Sequence, residues 1–272
     1  MKINLKTVIC AAAFVLAAAP LCAQTVITHP WQNKRVAYLG DSVTDPEAVG
    51  VKPKYHQFLK EMLGITPYVY GVNGREWSDI PHQAEQLEQE HGQDVDAILI
   101  FIGTNDFNAG VPIGKWYSES AEKVVAAAGK PRTEETRMKR TPVMDGATLC
   151  GRINIAMNRV KTLFPTKQVV LITPLHRAYA EFGDSNVQPS EEYANSCGEW
   201  FADYVEAVKQ AGNVWAVPVI DLNADSGLYP LLDSQSVYFR DAQTDRLHPS
   251  VDGQRRMALT LMYRLLALPC TF

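Results

Sequence analysis

The sequence AILIFIGTND occupies residues 97–106 and joins six consecutive apolar residues to a polar end. An uninterrupted apolar run of this kind is typical of a strand that is buried on both faces of a parallel sheet. The polar end would then lie at the carboxyl-terminal edge of the sheet, where α/β proteins bind their ligands. This stretch therefore indicates an α/β domain with a ligand site at one sheet edge.

Strand-like and helix-like segments alternate along the rest of the chain. Residues 55–63 carry apolar side chains at spacings of three and four, which is the period of a helix. We expect further helices at 80–90, 146–164, 191–211 and 251–268, and strands at 36–39, 68–72, 169–172 and 214–220. This alternation predicts a three-layer α/β/α sandwich around a central parallel sheet.

Two segments interrupt the alternation, at about 107–145 and 173–190. Both follow a predicted strand and are too long for simple turns, so we interpret them as insertions into a single domain at 24–272. Within the first, we expect a helix at about 118–128 and a basic, mobile segment at about 130–140. Both insertions begin at the carboxyl-terminal ends of strands, which is where such folds bind ligands.

Residues 1–23 have the pattern of a secretory signal peptide. Two lysines precede a 12-residue apolar stretch that is too short to cross a bilayer, and cleavage is expected after Ala23. A buried N-terminal helix is the alternative, but it explains the lysines less well. Lipidation at Cys22 is disfavoured because a bulky leucine precedes it. We therefore expect a periplasmic or secreted protein.

The composition excludes several classes of partner. The leader contains 2 of the 26 Lys and Arg residues and none of the 30 Asp and Glu residues, so the mature chain has a net charge of −6. Without a basic cluster, nucleic acid and anionic membranes are not expected as partners. No other apolar run has the length of a membrane span, so the mature protein should be soluble.

The mature chain has three cysteines, Cys150, Cys197 and Cys270. Their wide spacing does not fit a metal or redox motif. An odd number leaves at least one thiol free. A single disulfide is compatible with an oxidising compartment, and the sequence does not assign its pair.

Four short motifs carry side chains suited to catalysis, and each also has a purely structural explanation. Ser42 lies in a GDSVT turn after the first predicted strand, where a serine can project its Oγ above the sheet edge. Asp245 precedes His248 by three residues, so its carboxylate can hold the Nδ1–H of the imidazole. Asn105 and Gly74 follow two other strands, and they can offer a side-chain amide and a backbone N–H to an anion.

Taken together, the four motifs resemble the conserved blocks of the SGNH (GDSL-like) hydrolase family, over essentially the whole mature chain. The resemblance implies a flavodoxin-like α/β/α fold and an esterase that needs no metal or organic cofactor. It also implies Ser42 as nucleophile, His248 as base and Asp245 as its orienting partner. The oxyanion would be held by the Ser42 amide, Gly74 and Asn105. Gly71 is a second candidate for the glycine.

The substrate is less well specified by the sequence. Arg75, Trp77, Trp116, Tyr117 and His176 lie in or near the variable loops and are candidates for substrate binding. Aromatic faces and polar donors at a wet edge suit a sugar, although the aromatic residues would equally anchor the loops. Exported relatives often deacetylate polysaccharides, so the resemblance favours an O-acetylesterase acting on a small-molecule or glycan ester. The alternatives are a lipid or thioester hydrolase, an acyltransferase to sugar hydroxyls, and a binding module without turnover.

Overall fold

The structure is a computed structural model that describes residues 28–272, so the predicted leader lies outside the described part. In chain order the strands are β1 (Arg35–Gly40), β2 (Thr66–Val69), β3 (Ala97–Phe101), β4 (Tyr117–Ala127), β5 (Thr133–Pro142), β6 (Gln168–Ile172), β7 (Ala180–Glu181), β8 (Val187–Gln188), β9 (Val219–Ile220), β10 (Phe239–Asp241) and β11 (Asp245–Pro249). The α-helices are α1 (Tyr55–Leu63), α2 (Ile80–His91), α3 (Thr104–Asn108), α4 (Leu149–Leu163), α5 (Phe201–Trp215), α6 (Leu222–Asp225) and α7 (Val251–Ala267). Short 3-10 helices occupy Ala48–Gly50, Trp77–Asp79 and Asp233–Tyr238.

Five strands form a parallel central sheet in the order β2-β1-β3-β6-β9. All five residues of β3 are buried, and this strand pairs with β1 on one side and β6 on the other. The register aligns Gly40 with Phe101 and Phe101 with Ile172. Three consecutive strands of the sheet therefore end side by side.

Alternating strand residues direct two cores to opposite faces of the sheet. Leu39 and Ile100 belong to the core that packs under α2, α4 and α5. Tyr38 and Leu99 belong to the core under α1 and α7. The predicted three-layer α/β/α sandwich is thus the observed architecture.

A second sheet is small and antiparallel, in the order β10-β11-β7-β8. The predicted insertion at 173–190 supplies β7 and β8, and β11 precedes the last helix. None of the helices within residues 28–272 combines the length and hydrophobicity that crossing a membrane requires. The three cysteines of this part of the chain are free thiols in the structure.

The predicted helix at 118–128 is wrong, and most of 130–140, which we expected to be a basic, mobile segment, is a strand. The structure has a long antiparallel hairpin there, in which β4 pairs with β5. Cross-strand ion pairs explain the difference, since Arg140 bonds to Glu119 at 2.9 Å and Lys139 bonds to Glu122 at 2.8 Å. These partners are distant in sequence, so helical propensity within 118–128 did not indicate them.

Several other boundaries differ from the prediction, most of all within 191–220. The helix expected at 191–211 begins only at Phe201 because Asn195 closes a turn, its Oδ1 accepting hydrogen bonds from the backbone of Cys197 and Glu199. That helix continues through Trp215, so the strand expected at 214–220 is reduced to β9.

The hairpin should be dispensable for stability. Every residue of β5 is exposed, and so is every residue of β4 after Tyr117. The base of the hairpin is closed by a 3.0 Å hydrogen bond from the Val143 N–H to the Trp116 carbonyl. Replacing 119–140 by an Asn-Gly turn between Ser118 and Thr141 should leave the melting temperature within about 2–4 °C of wild type, a change of about 1 kcal/mol at most. Calorimetry would measure it, and a larger loss would mean that the hairpin packs on something that stabilises the domain.

Candidate active site

Ser42 follows β1 on a tight turn that requires glycine at position 40. Gln83 bonds to both backbone groups of Gly40, at 2.8 and 2.9 Å, and a Cβ there would overlap the carbonyl of Phe101. The Asp41 carboxylate then accepts from the Val43 N–H at 3.0 Å, which closes the turn. The sequence therefore positions the serine by fixing the backbone on both sides of it.

His248 lies against this serine although the two residues are far apart in sequence. Its Nε2 is 2.8 Å from the Ser42 Oγ, and its Nδ1 is 3.0 and 3.1 Å from the two carboxylate oxygens of Asp245. All three residues are buried. The predicted residues are thus brought together in a hydrogen-bonded chain that can move a proton from Oγ to Nε2.

The carboxylate of Asp245 is stabilised as an anion from several sides. Burial opposes its ionisation, but hydrogen bonds from His248 and Arg240 hold its pKa below the usual value. The His248 N–H donates to Oδ1 at 3.0 Å and Arg240 donates to Oδ2 at 3.0 Å. An ionised Asp245 can both orient the imidazole and stabilise its protonated form.

A cavity of about 210 Å³ opens beside Ser42 and His248. Gly74 and Asn105, the predicted oxyanion donors, both line it. The remaining lining residues are Val49, Asn73, Phe182, Asn186, Gln188 and Leu247. The Asn105 Nδ2 donates to the Arg75 carbonyl at 2.9 Å, which holds the amide next to the Gly74 loop and leaves its second hydrogen for another acceptor. Gly74 has a φ of 76°, a left-handed conformation that favours glycine.

A model of the GDSL-like lipase/acylhydrolase family matches residues 38–256, which include every residue of this cavity. The chain belongs to this family. Solved structures share the fold: a protein from Lactobacillus plantarum is 24% identical, with 86% of this chain and 97% of that one covered and a TM-score of 0.65. A possible lipase from Chitinophaga pinensis is 21% identical, with 87% and 100% covered and a TM-score of 0.61. A catalytic mutant of an acetylxylan esterase from Geobacillus stearothermophilus is 19% identical, with 89% and 98% covered and a TM-score of 0.51. A comparison with curated proteins gave no match.

In this GDSL-like hydrolase, a partly buried charge network that the sequence analysis did not assign joins the segments that carry Gly74 and Asn105. Asp106 accepts from the Trp77 N–H at 3.0 Å and from Arg152 at 2.9 Å, and Arg152 also donates to Glu76 at 2.5 Å. These contacts tie α4 to the loops that carry Gly74 and Asn105. Asp106 lies in the GTND motif, but its partner Arg152 comes from a distant helix and no local spacing indicated it.

The predicted substrate-binding residues are dispersed, and none of the five lines this cavity. Trp77 is fully buried and packs in the core of the GDSL-like domain, so it offers no surface to a ligand. Trp116 packs on the same core and donates its Nε1–H to Gln210, which fits a loop anchor. Arg75 is exposed and pairs with Asp79. Tyr117 begins the hairpin, and His176 lines a different cavity.

Two basic side chains lie beneath the Ser42 turn, and the sequence analysis missed both. Lys54 is fully buried and donates to the Ser42 carbonyl at 3.1 Å, and burial lowers its pKa to about 8 against the attraction of nearby carboxylates. His56 contacts the Thr44 carbonyl through Nε2 at 3.1 Å. Burial lowers the pKa of His56 to about 4, so the fold holds a neutral imidazole there.

His56 should make the GDSL-like domain sensitive to acid. Its pKa is lower in the fold (about 4) than in the unfolded chain (6.5), so its contribution to stability is complete above pH 6.5 and is lost as the pH falls to about 4. The size is on the order of 3 kcal/mol, at 1.36 kcal/mol per pH unit. Chemical unfolding across this range should show a shallower pH dependence for His56→Gln than for wild type. His82→Gln, on the exposed face of α2, is the control and should keep the wild-type profile.

Proposed function

We propose that the chain is an exported serine esterase that removes short acyl groups, foremost O-acetyl groups from carbohydrate. The observation that carries the proposal is the 2.8 Å contact between the His248 Nε2 and the Ser42 Oγ, with the Asp245 carboxylate behind the imidazole. A buried serine next to a base that is itself oriented by a carboxylate is the arrangement that activates a hydroxyl for attack.

The reaction would proceed in two steps. Ser42 Oγ attacks the ester carbonyl while His248 takes its proton, and the anionic oxygen is held by the Ser42 and Gly74 N–H groups and by the free Asn105 amide hydrogen. His248 returns the proton to the departing alcohol, which leaves an acyl group on Oγ. Water activated by the same imidazole then attacks this acyl-enzyme and releases the acid and the free serine.

The cavity at Ser42 favours a small acyl group with polar surroundings. Its volume is about 210 Å³, which is below the common range of ligand pockets. Three of its lining residues, Asn73, Asn186 and Gln188, have amide side chains. Amides offer donors and acceptors to sugar hydroxyls. The one aromatic residue among the lining, Phe182, stands at the His248 ring with centroids 5.3 Å apart.

A lipid or thioester hydrolase is a weaker proposal because this lining contains no long aliphatic wall. An acyltransferase would use the same acyl-enzyme, with a sugar hydroxyl in place of water. The intact hydrogen-bonded chain of Ser42, His248 and Asp245 favours turnover over a binding module without activity.

The test is an esterase assay of the mature protein with 4-nitrophenyl acetate, butyrate and octanoate and with acetylated oligosaccharides. We expect kcat/KM for acetate to exceed that for octanoate by at least about tenfold, because the small cavity excludes the longer chain. Ser42→Ala should lower activity by about 10⁴-fold or more. Product analysis with added sugar acceptors separates hydrolysis from transfer. A preference for octanoate would favour the lipid alternative, and an active Ser42→Ala would refute the proposed nucleophile.

The role of Asp245 can be tested separately. Asp245→Asn removes the negative charge and disturbs the imidazole tautomer, so kcat with 4-nitrophenyl acetate should fall by up to about 10⁴-fold. Arg240→Gln removes one half-exposed partner of the carboxylate and leaves His248 in place, so its effect should be much smaller. If Asp245→Asn kept most of the activity, another group would orient His248, and the roles of Ser42 and His248 would stand.

A further inference from the structure

A second cavity, of about 250 Å³, lies at the same edge of the central sheet; we call it the distal cavity. It is lined by His176, Glu191, Trp200, Phe201, Val205 and Asn223. The proposed reaction at Ser42 uses none of these residues. Its lining combines the polar side chains of His176, Glu191 and Asn223 with the exposed indole of Trp200.

The topology places the distal cavity close to Ser42. His176 follows β6 and Asn223 follows β9. Both therefore lie at the carboxyl-terminal edge of the parallel sheet, as Ser42 does after β1. Only β3 separates β1 from β6. With neighbouring strands about 4.8 Å apart, β6 lies about 10 Å from β1.

A common wall separates the two cavities. Gln188 lines the cavity at Ser42 and Glu191, three residues later, lines the distal cavity, so their Cα atoms are at most about 11 Å apart. The buried Arg177 fixes this wall from both sides. Its guanidinium donates to Gln188 and to the Thr104 carbonyl, each at 2.9 Å, and its backbone N–H donates to Glu191 at 2.8 Å.

The polar side of the distal cavity is built from oriented groups. The Nδ1 of His176 is 2.5 Å from one carboxylate oxygen of Glu191, and the His176 ring stands edge-on to Tyr229 with centroids 5.2 Å apart. These contacts hold the imidazole in one orientation. The lining also includes Trp200, which is 54% exposed although it is large and apolar.

An exposed indole next to fixed polar groups matches a ligand that has one apolar face and several hydroxyls. A pyranose ring has this character, because its C–H face packs on an aromatic plane while its hydroxyls bond to carboxylate, imidazole and amide groups. The carboxylate of Glu191 disfavours an anionic ligand. A neutral sugar therefore fits the lining better than a phosphate or an acid.

We propose that the distal cavity binds a neutral sugar residue of the glycan whose ester group is held at Ser42. This inference rests on the proposed function and extends it from a small ester to a chain of sugars. Binding one unit at a distance from the reacting ester positions the glycan and lowers KM without changing the chemical step. An acyl chain lying on Phe201 and Val205 is the competing occupant, and the test separates the two.

The first experiment compares the wild type with Trp200→Ala on O-acetylated xylo-, cello- and manno-tetraose and on 4-nitrophenyl acetate. On at least one tetrasaccharide, Trp200→Ala should raise KM about tenfold, the equivalent of about 1.4 kcal/mol, with kcat within about twofold. It should leave the kinetics of 4-nitrophenyl acetate unchanged. Tyr263→Ala, which removes another exposed aromatic residue, on α7, is the control and should match the wild type on every substrate.

A second experiment keeps this inference separate from the proposed function. Calorimetric titration of the Ser42→Ala protein with the three unacetylated tetrasaccharides measures binding without turnover. We expect binding of at least one, and about tenfold weaker binding when Trp200→Ala is added. If 4-nitrophenyl acetate is not hydrolysed but this binding occurs, the proposed esterase is wrong and the sugar site stands.

Two results would overturn the sugar site. One is unchanged KM and unchanged binding in Trp200→Ala for all three tetrasaccharides. The other is a loss of kcat/KM in Trp200→Ala for 4-nitrophenyl hexanoate but not for the acetylated tetrasaccharides, which would assign the distal cavity to an acyl chain.

Discussion

The in-register pairing of β1 with β3 is the constraint on which the site depends. Because Gly40 lies opposite Phe101, the two strands end at the same level and their following residues leave the sheet together. Ser42 and Asn105 thus face one cavity although they lie in segments that follow different strands. The glycine is required because the β3 carbonyl occupies the space of a Cβ at position 40. The proposed nucleophile and oxyanion donor are therefore positioned by the sheet itself.

Buried charge is concentrated beneath this edge, where it joins the segments that follow the strands to one another and to α4. Asp106 joins the Trp77 backbone to Arg152, Arg177 joins Thr104 to Gln188, and Lys54 supports the Ser42 carbonyl. Burial raises the pKa of Asp106 to about 7, against hydrogen bonds that favour its anion. Burying such groups opposes stability unless their hydrogen bonds offset it, so they contribute more to geometry than to net stability.

The sequence predicted the parts of the fold that local pattern controls. The apolar run at 97–102 and the helical period at 55–63 identified β3 and α1. Motifs at strand ends and before the last helix predicted that Ser42, Gly74, Asn105 and His248 are neighbours. Parallel topology makes that step possible, since carboxyl ends of strands share one edge. The geometry agrees with the predicted grouping, and the catalytic roles stay predictions.

The remaining features depend on contacts between distant residues, which no local period encodes. The hairpin at 117–142 is held by pairs such as Glu119 with Arg140. Residues 118–128 considered without their partner strand predicted a helix instead. Trp77 and Trp116 were candidates for ligand contact because aromatic residues in loops suit sugars, but core packing uses the same side chains. Composition cannot separate these two uses, because the difference lies in which neighbours cover the ring.

The proposed chemistry and the proposed specificity rest on different elements of the chain. Ser42 and Asn105 follow buried strands, and His248 lies on β11, so the proton chain rests on paired backbone. Part of the lining of both cavities comes from 173–200, which connects β6 to α5 through two short strands and several turns. Substitutions at His176, Glu191 or Trp200 can reshape the distal cavity without replacing a residue of the 2.8 Å contact at Ser42. Such a separation allows one reaction to be directed to different esters by changing the walls alone.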